Sequence, residues 1–217
     1  MRKLPFILAM FILPCMACKH DSFKPTSNIT DVPDPTGPAI TLSNFPLTIG
    51  NMWVYDNGDT MRAVSDSTIN GVAVTRLVVS NSGHQASFYC ANKADGFYIV
   101  ASNMKYDFNY LTCPLSGILN VTDTLQVPAP SVLYAKYPID TATQWNPHNP
   151  GWVNAQKQWM GYYVVTTPAG TFNCVALNSG GLIEYYSSKG LVKTKEIIEC
   201  ITGPCPPLTE KLIYVNF

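Results

Sequence analysis

The dipeptide Asn70-Gly71 constrains the fold of this chain more than any other feature. It separates two runs of alternating apolar and polar residues, 60–69 and 72–80. A two-residue loop needs φ > 0 at both positions, which Asn and Gly tolerate, and it joins its strands as an antiparallel hairpin. The same grammar recurs along the chain. Lys93-Ala94-Asp95-Gly96 turns the alternating run 84–91 into 97–102. In the last third, runs 157–167, 171–178, 182–188, 191–200 and 208–217 are cut by Pro168-Ala169-Gly170, Ser179-Gly180-Gly181, Lys189-Gly190 and a loop from Cys200 to Cys205. Strands joined this closely cannot be parallel, because a parallel crossover needs a dozen or more residues.

Helix is excluded on two counts. No window carries apolar residues at helical spacing for three turns, and the 17 prolines break any that would. The middle of the chain is less regular. Residues 52–56 form a short aromatic run, and 106–113 reads as a strand. Residues 125–137 hold Pro128 and Pro130 and suit an edge or a bend, and 141–152 reads as a long loop. The expectation is an all-β fold: an antiparallel meander of about nine to eleven strands. It curls into an open or half barrel, with a β-sandwich as the alternative, because a large flat sheet leaves its edges open to aggregation.

The N-terminus is of another kind. Met1-Arg2-Lys3 precedes an apolar run over 4–17, and Ala17 stands before Cys18. The run is too short for the roughly 20 residues a transmembrane helix needs, and Pro5 and Pro14 interrupt it. A basic start, an apolar stretch and a small residue before the cut mark a secretory signal. With cysteine as the next residue, the segment resembles a bacterial lipoprotein signal, with Cys15 where that pattern usually has Leu. The resemblance implies that Cys18 is alkylated with diacylglycerol, cleaved free and acylated again. Two or more acyl chains hold stably, at about 0.8 kcal/mol per buried CH₂. The expected organisation is a signal peptide over 1–17, a disordered tether over 18–40 and one β-domain over 41–217. The tether carries Pro25, Pro33, Pro35 and Pro38 among small polar residues and spans about 25 Å.

Charge removes one class of function. Lys plus Arg total 14 and Asp plus Glu total 14, so no net field draws nucleic acid, and only 13% of residues are charged. Export places the cysteines in an oxidising compartment. Cys200 and Cys205 flank a Gly-Pro turn, and Cys90 with Cys113 closes a second loop, worth about 3 kcal/mol in the chain-entropy account. Cys174 is then left as a buried, inert thiol. No C-x-x-C or H-x₃-H spacing marks a metal site, and no cofactor motif occurs.

Two stretches carry a family resemblance. Phe45-Pro46-Leu47-Thr48-Ile49-Gly50-Asn51-Met52-Trp53-Val54-Tyr55 resembles the opening of many uncharacterised Bacteroidota lipoproteins. Pro168-Ala169-Gly170-Thr171-Phe172, then Tyr185-Tyr186 and Gly190-Leu191-Val192-Lys193, resembles their close. That group is similar to the TapB-like periplasmic β-proteins. The resemblance implies a curved sheet and a cell-envelope location in a Gram-negative bacterium, anchored to the outer membrane. It implies no catalytic residue. The residues themselves explain the motif as structure, with Trp53, Tyr55 and Phe172 as core anchors.

Chemistry is thinly represented. There is no G-x-S-x-G, H-E-x-x-H, P-loop or G-x-G-x-x-G. His84 reads as a solvated hairpin residue and His148 as a loop residue. Most acids sit beside turn residues, where Asp is expected. Glu184 is the exception: it interrupts an apolar strand between Leu182 and Tyr186. One inward carboxylate is more often paired structurally than catalytic, so the chain is not expected to be an enzyme. The expectation is a membrane-anchored envelope protein. Its concavity takes a small apolar or sugar ligand, with Trp145, His148 and Trp152 as the lip. The alternative is that the aromatics fill the interior and the protein serves a structural or partner-binding role toward another envelope protein.

Overall fold

In a computed structural model the described residues are 32–33, 42–81, 84–104, 121–147, 156–179, 182–196 and 208–216. They lie in one compact unit beginning at Asp31 and contain fourteen strands and no helix. Every pairing is antiparallel. The all-β meander expected from the turns is the observed fold.

The first hairpin pairs β3 (Thr60–Ile69) with β4 (Val72–Asn81), its turn held by Asn70 at φ 50° and Gly71 at φ 80°. The meander continues through β5 (His84–Lys93) and β6 (Gly96–Met104). A second meander runs β10 (Lys157–Thr167), β11 (Gly170–Ser179), β12 (Leu182–Ser187), β13 (Gly190–Glu196) and β14 (Leu208–Asn216). β2 (Met52–Tyr55) joins the halves, pairing β14 on one side and β3 on the other. The sheet is therefore one continuous ladder, which sets aside the sandwich alternative. Seven of the pairings carry a register shift. Bulges bend and twist a strand, so this density of them curls the sheet.

The prolines act as expected. The 125–137 stretch divides into β7 (Val121–Gln126) and β8 (Val132–Lys136), with Pro128 and Pro130 in the bend between them, and both strands pair the outer edge of β6. At the other end, β9 (Gln144–Trp145) pairs β10 inside the stretch read as loop. The tether expectation needs a correction. Val32 and Pro33 form β1, paired with Val164 and Tyr163 on the edge of β10. A β-branched residue followed by proline fits an edge, where a missing donor is tolerated. The remainder of 1–41 lies outside the described residues, as does 106–113.

Inside the curl is an aromatic core. Trp53, Trp159, Tyr55, Tyr134, Phe88 and Phe97 are among its fully buried side chains. The segment before β2 sends Phe45 into this core, stacked on Phe97 at 4.7 Å and 5.7 Å from Trp53. Asn92 pins it from both sides, accepting from the Phe45 N–H at 2.9 Å and donating to its carbonyl at 2.8 Å. Asn51 donates to the Pro46 carbonyl, the Trp53 indole to Lys189 and the Tyr55 hydroxyl to Leu191. The opening motif is thus a set of packing and hydrogen-bonding anchors. Phe172 is half-buried and packs against the same core.

Candidate functional site

The inward carboxylate singled out in the sequence is the centre of a buried polar network. Glu184 lies on β12 and is fully buried. Its Oε1 accepts from the hydroxyls of Tyr134 on β8 and Tyr186 on β12, the latter at 3.0 Å. Its Oε2 accepts from Ser179 of β11 at 3.0 Å and lies 3.8 Å from the ammonium of Lys157 on β10. Lys157, also fully buried, donates to Ser179 at 2.8 Å and stands 3.7 Å from the centroid of the Tyr134 ring. Burial, reinforced by the charge of Glu184, pushes the Tyr186 phenol well above its ordinary range.

The strands dictate this meeting. Side chains alternate faces along a strand, so Lys157 shares the inward face with Trp159, and Glu184 shares it with Tyr186. Four strands thereby aim one group each, or two, at a single point. Removing two charges from water costs several kcal/mol per ion unless hydrogen bonds meet them. Here three hydroxyls, an ammonium and a carboxylate meet one another. A general acid or base must reach a substrate proton. With Glu184 and Lys157 both at 0% exposure, the network has the chemistry of a clamp.

The clamp sits where the ladder stops. β8 pairs β6 along one edge only, and the indoles of the opposite meander reach its other edge. Trp145 donates to the Leu133 carbonyl at 3.3 Å and Trp159 to the Lys136 carbonyl at 2.8 Å. With the Tyr134–Glu184 bond these stitch the two ends of the sheet together through side chains. Among the described residues no ladder pairing joins them.

Of the expected ligand lip, Trp145 alone lies among the described residues. Trp145 is only 9% exposed and belongs to the core, 6.1 Å from the Trp159 ring, because its indole serves the seam. His148 and Trp152 lie outside the described residues. A cleft beside the core, ringed by Phe45, Phe97, Tyr137, Trp159 and Tyr186, holds about 10 Å³. That is room for about one water molecule. His84 is exposed at the start of β5, as expected of a hairpin residue.

The cysteine expectation also changes. Cys90 is a free thiol at 0% exposure rather than half of a staple with Cys113. It points into the core from β5, and burial pushes its pKa up, which keeps the thiol protonated. Cys113, Cys200 and Cys205 lie outside the described residues, as does Cys18. Cys174 is a buried thiol that donates to the Phe172 carbonyl at 3.7 Å. Sequence reasoning missed Lys157 and Tyr134 as partners of Glu184. The period-2 placement of Lys157 two residues before Trp159 was the available signal.

No protein-family model matches the chain. No curated protein matches it either. A crystal structure of a candidate lipoprotein from Parabacteroides distasonis is similar over 82% of this chain and 100% of that one, at 18% identity and a TM-score of 0.43. No residue role transfers at that level.

Proposed function

We propose that this chain is an exported lipoprotein, held at the outer membrane of a Gram-negative envelope through Cys18. Its β-domain is a rigid scaffold for an envelope partner rather than a carrier or an enzyme. The filled interior carries this reading. Its rings pack edge to face and stacked, its charged pair is met from within, and its cleft of about 10 Å³ admits no lipid or sugar. Ligand sites of bound small molecules usually run to about 300–1,000 Å³. The signal-like N-terminus and the cysteine after Ala17 support the anchor. Kinship with the TapB-like group is part of the same proposal and rests on the two motif stretches.

Two measurements test it. Native mass spectrometry of protein purified from its own envelope is expected to show the bare polypeptide plus its acyl chains. An additional molecule retained inside the domain refutes the scaffold reading. Cys18→Ala is expected to abolish palmitate labelling and move the protein to the soluble fraction. Retention in the membrane pellet refutes the anchor.

A further inference from the structure

The core-facing side of the sheet changes character at one end of the curl. On β3, β4 and β5 it is apolar through Ala63, Leu77 and Phe88, then turns polar at Asp66, Thr75 and Asn92. The shared face is set by register: Thr75 is opposite both Asp66 and Cys90, and Cys90 points into the core. Thr75 donates its hydroxyl to Asp66 Oδ1 at 2.9 Å. The segment from Asn44 to Ile49 faces Asp66 of β3, Thr75 of β4 and Asn92 of β5 at this end. Between them lies an open groove of about 750 Å³. It falls within the size range of small-molecule sites, unlike the cleft in the core.

We propose that this groove binds a neutral saccharide. The lining has two sides of different chemistry. One presents a carboxylate, a hydroxyl and an amide, from Asp66, Thr75 and Asn92. The other presents Pro46, Leu47 and Ile49, the last 51% exposed. A pyranose ring has the matching pair of faces: hydroxyls at its rim for a carboxylate to accept from, and C–H groups for an apolar wall. Charge narrows the class further. Asp66 is the one ionisable group among the described lining residues, so a phosphate, nucleotide or uronate meets repulsion and no cation. A peptide strand is disfavoured because strand addition needs free backbone groups along an edge. Here Asn92 takes both the N–H and the carbonyl of Phe45. The inference rests on the filled interior only in placing binding outside the core.

Titration calorimetry on the full-length protein in detergent tests it, with maltohexaose, cellohexaose, chitohexaose and trigalacturonate as probes. At least one neutral oligosaccharide is expected to bind, and trigalacturonate is not. Asp66→Asn and Thr75→Val are each expected to weaken binding about tenfold, while Thr75→Ser, which keeps the hydroxyl, stays within about twofold. Absence of binding by all three neutral probes overturns the proposal. So does preferential binding of trigalacturonate, or wild-type affinity in a folded Asp66→Asn variant. A ligand co-purifying equally with wild type and Asp66→Asn counts against the scaffold reading. One lost specifically from Asp66→Asn counts for the groove.

Discussion

Breaking the Lys157–Glu184 pair separates charge from packing as the origin of the clamp's strength. Lys157→Met keeps the aliphatic volume and strands a carboxylate that is fully buried. Removing one partner of such a pair costs about 3–5 kcal/mol. The lower end, about 3 kcal/mol, applies here because Tyr134, Tyr186 and Ser179 still donate to the carboxylate. Glu184→Gln removes the carboxylate that lies 3.8 Å from a fully buried ammonium, so the upper end applies, about 5 kcal/mol. The double variant removes both charges from the network. Its Gln carbonyl accepts from both phenols and its amide donates to Ser179, so the loss falls to about 1 kcal/mol. For a domain of this size 1 kcal/mol moves Tm by about 2–4 °C, so Lys157→Met loses about 6–12 °C and the double variant about 2–4 °C. Urea unfolding followed by tryptophan fluorescence gives all four corners of the cycle. A double variant as unstable as the two single losses added together refutes the reasoning.

The seam, one close backbone approach and the buried phenols give three further tests. Trp159→Phe keeps the ring but orphans the Lys136 carbonyl, so it is expected to destabilise by about 1–3 kcal/mol in the same urea assay. Trp145→Phe, whose bond at 3.3 Å is longer, is expected to lose less. Gly190 sits at φ +88°, and a Cβ there lies 2.9 Å from the Trp53 indole nitrogen. Gly190→Ala is therefore expected to cost about 1–3 kcal/mol or more, visible as a lowered Tm, and a neutral result shows that the turn shifts freely. Burial raises the pKa of Tyr186, Tyr137 and Cys90, and burial with the neighbouring Asp95 pushes Tyr98 up to about 12. Groups with raised native values hold their protons after the unfolded chain has lost them. Their contribution is complete below the ordinary thiol and phenol range and declines as pH rises through about 10 and beyond. The urea midpoint is expected to fall between pH 8 and pH 10.5, and an unchanged midpoint contradicts the burial of these groups.

The local half of the fold was legible because hairpins are written locally. Asn70-Gly71, Ala94-Asp95-Gly96 and Lys189-Gly190 fix turn geometry, and runs 60–69 and 157–167 coincide with β3 and β10. What the sequence left unread depends on residues far apart. β14 pairs β2 across more than 150 residues, and β8 joins β6 beyond β7. No turn chemistry specifies either contact. Glu184 stood out because a carboxylate between Leu182 and Tyr186 breaks an apolar strand. Lys157 did not, because Lys at a strand's first residue reads as an ordinary solvated end. Only the curl, which brings β10 against β12 and β8, turns that end inward. Trp145 is a similar case. Trp145 in a Pro- and Asn-rich stretch looks like a ligand platform until β9 pairs β10 and its indole finds Leu133.

The location of the clamp follows from the same geometry. A ladder that ends without closing among the described residues leaves carbonyls and amides along its outer edges, and an apolar core alone does not fix how those edges align. Sliding β8 by one residue would turn Tyr134 outward and Leu133 inward and break its pairing with β6. Three directional bonds oppose it strongly. The same slip would break Tyr134 to Glu184 and move the Leu133 and Lys136 carbonyls away from the two indoles. It would also leave a buried carboxylate short of a donor, a loss larger than the change in apolar contact. The charged pair therefore lies beside the edge of β8 that, among the described residues, has no strand partner and is met by side chains instead. Five side chains, Tyr134, Trp145, Lys157, Trp159 and Glu184, thus add to the bulged ladder the contacts that join its two ends.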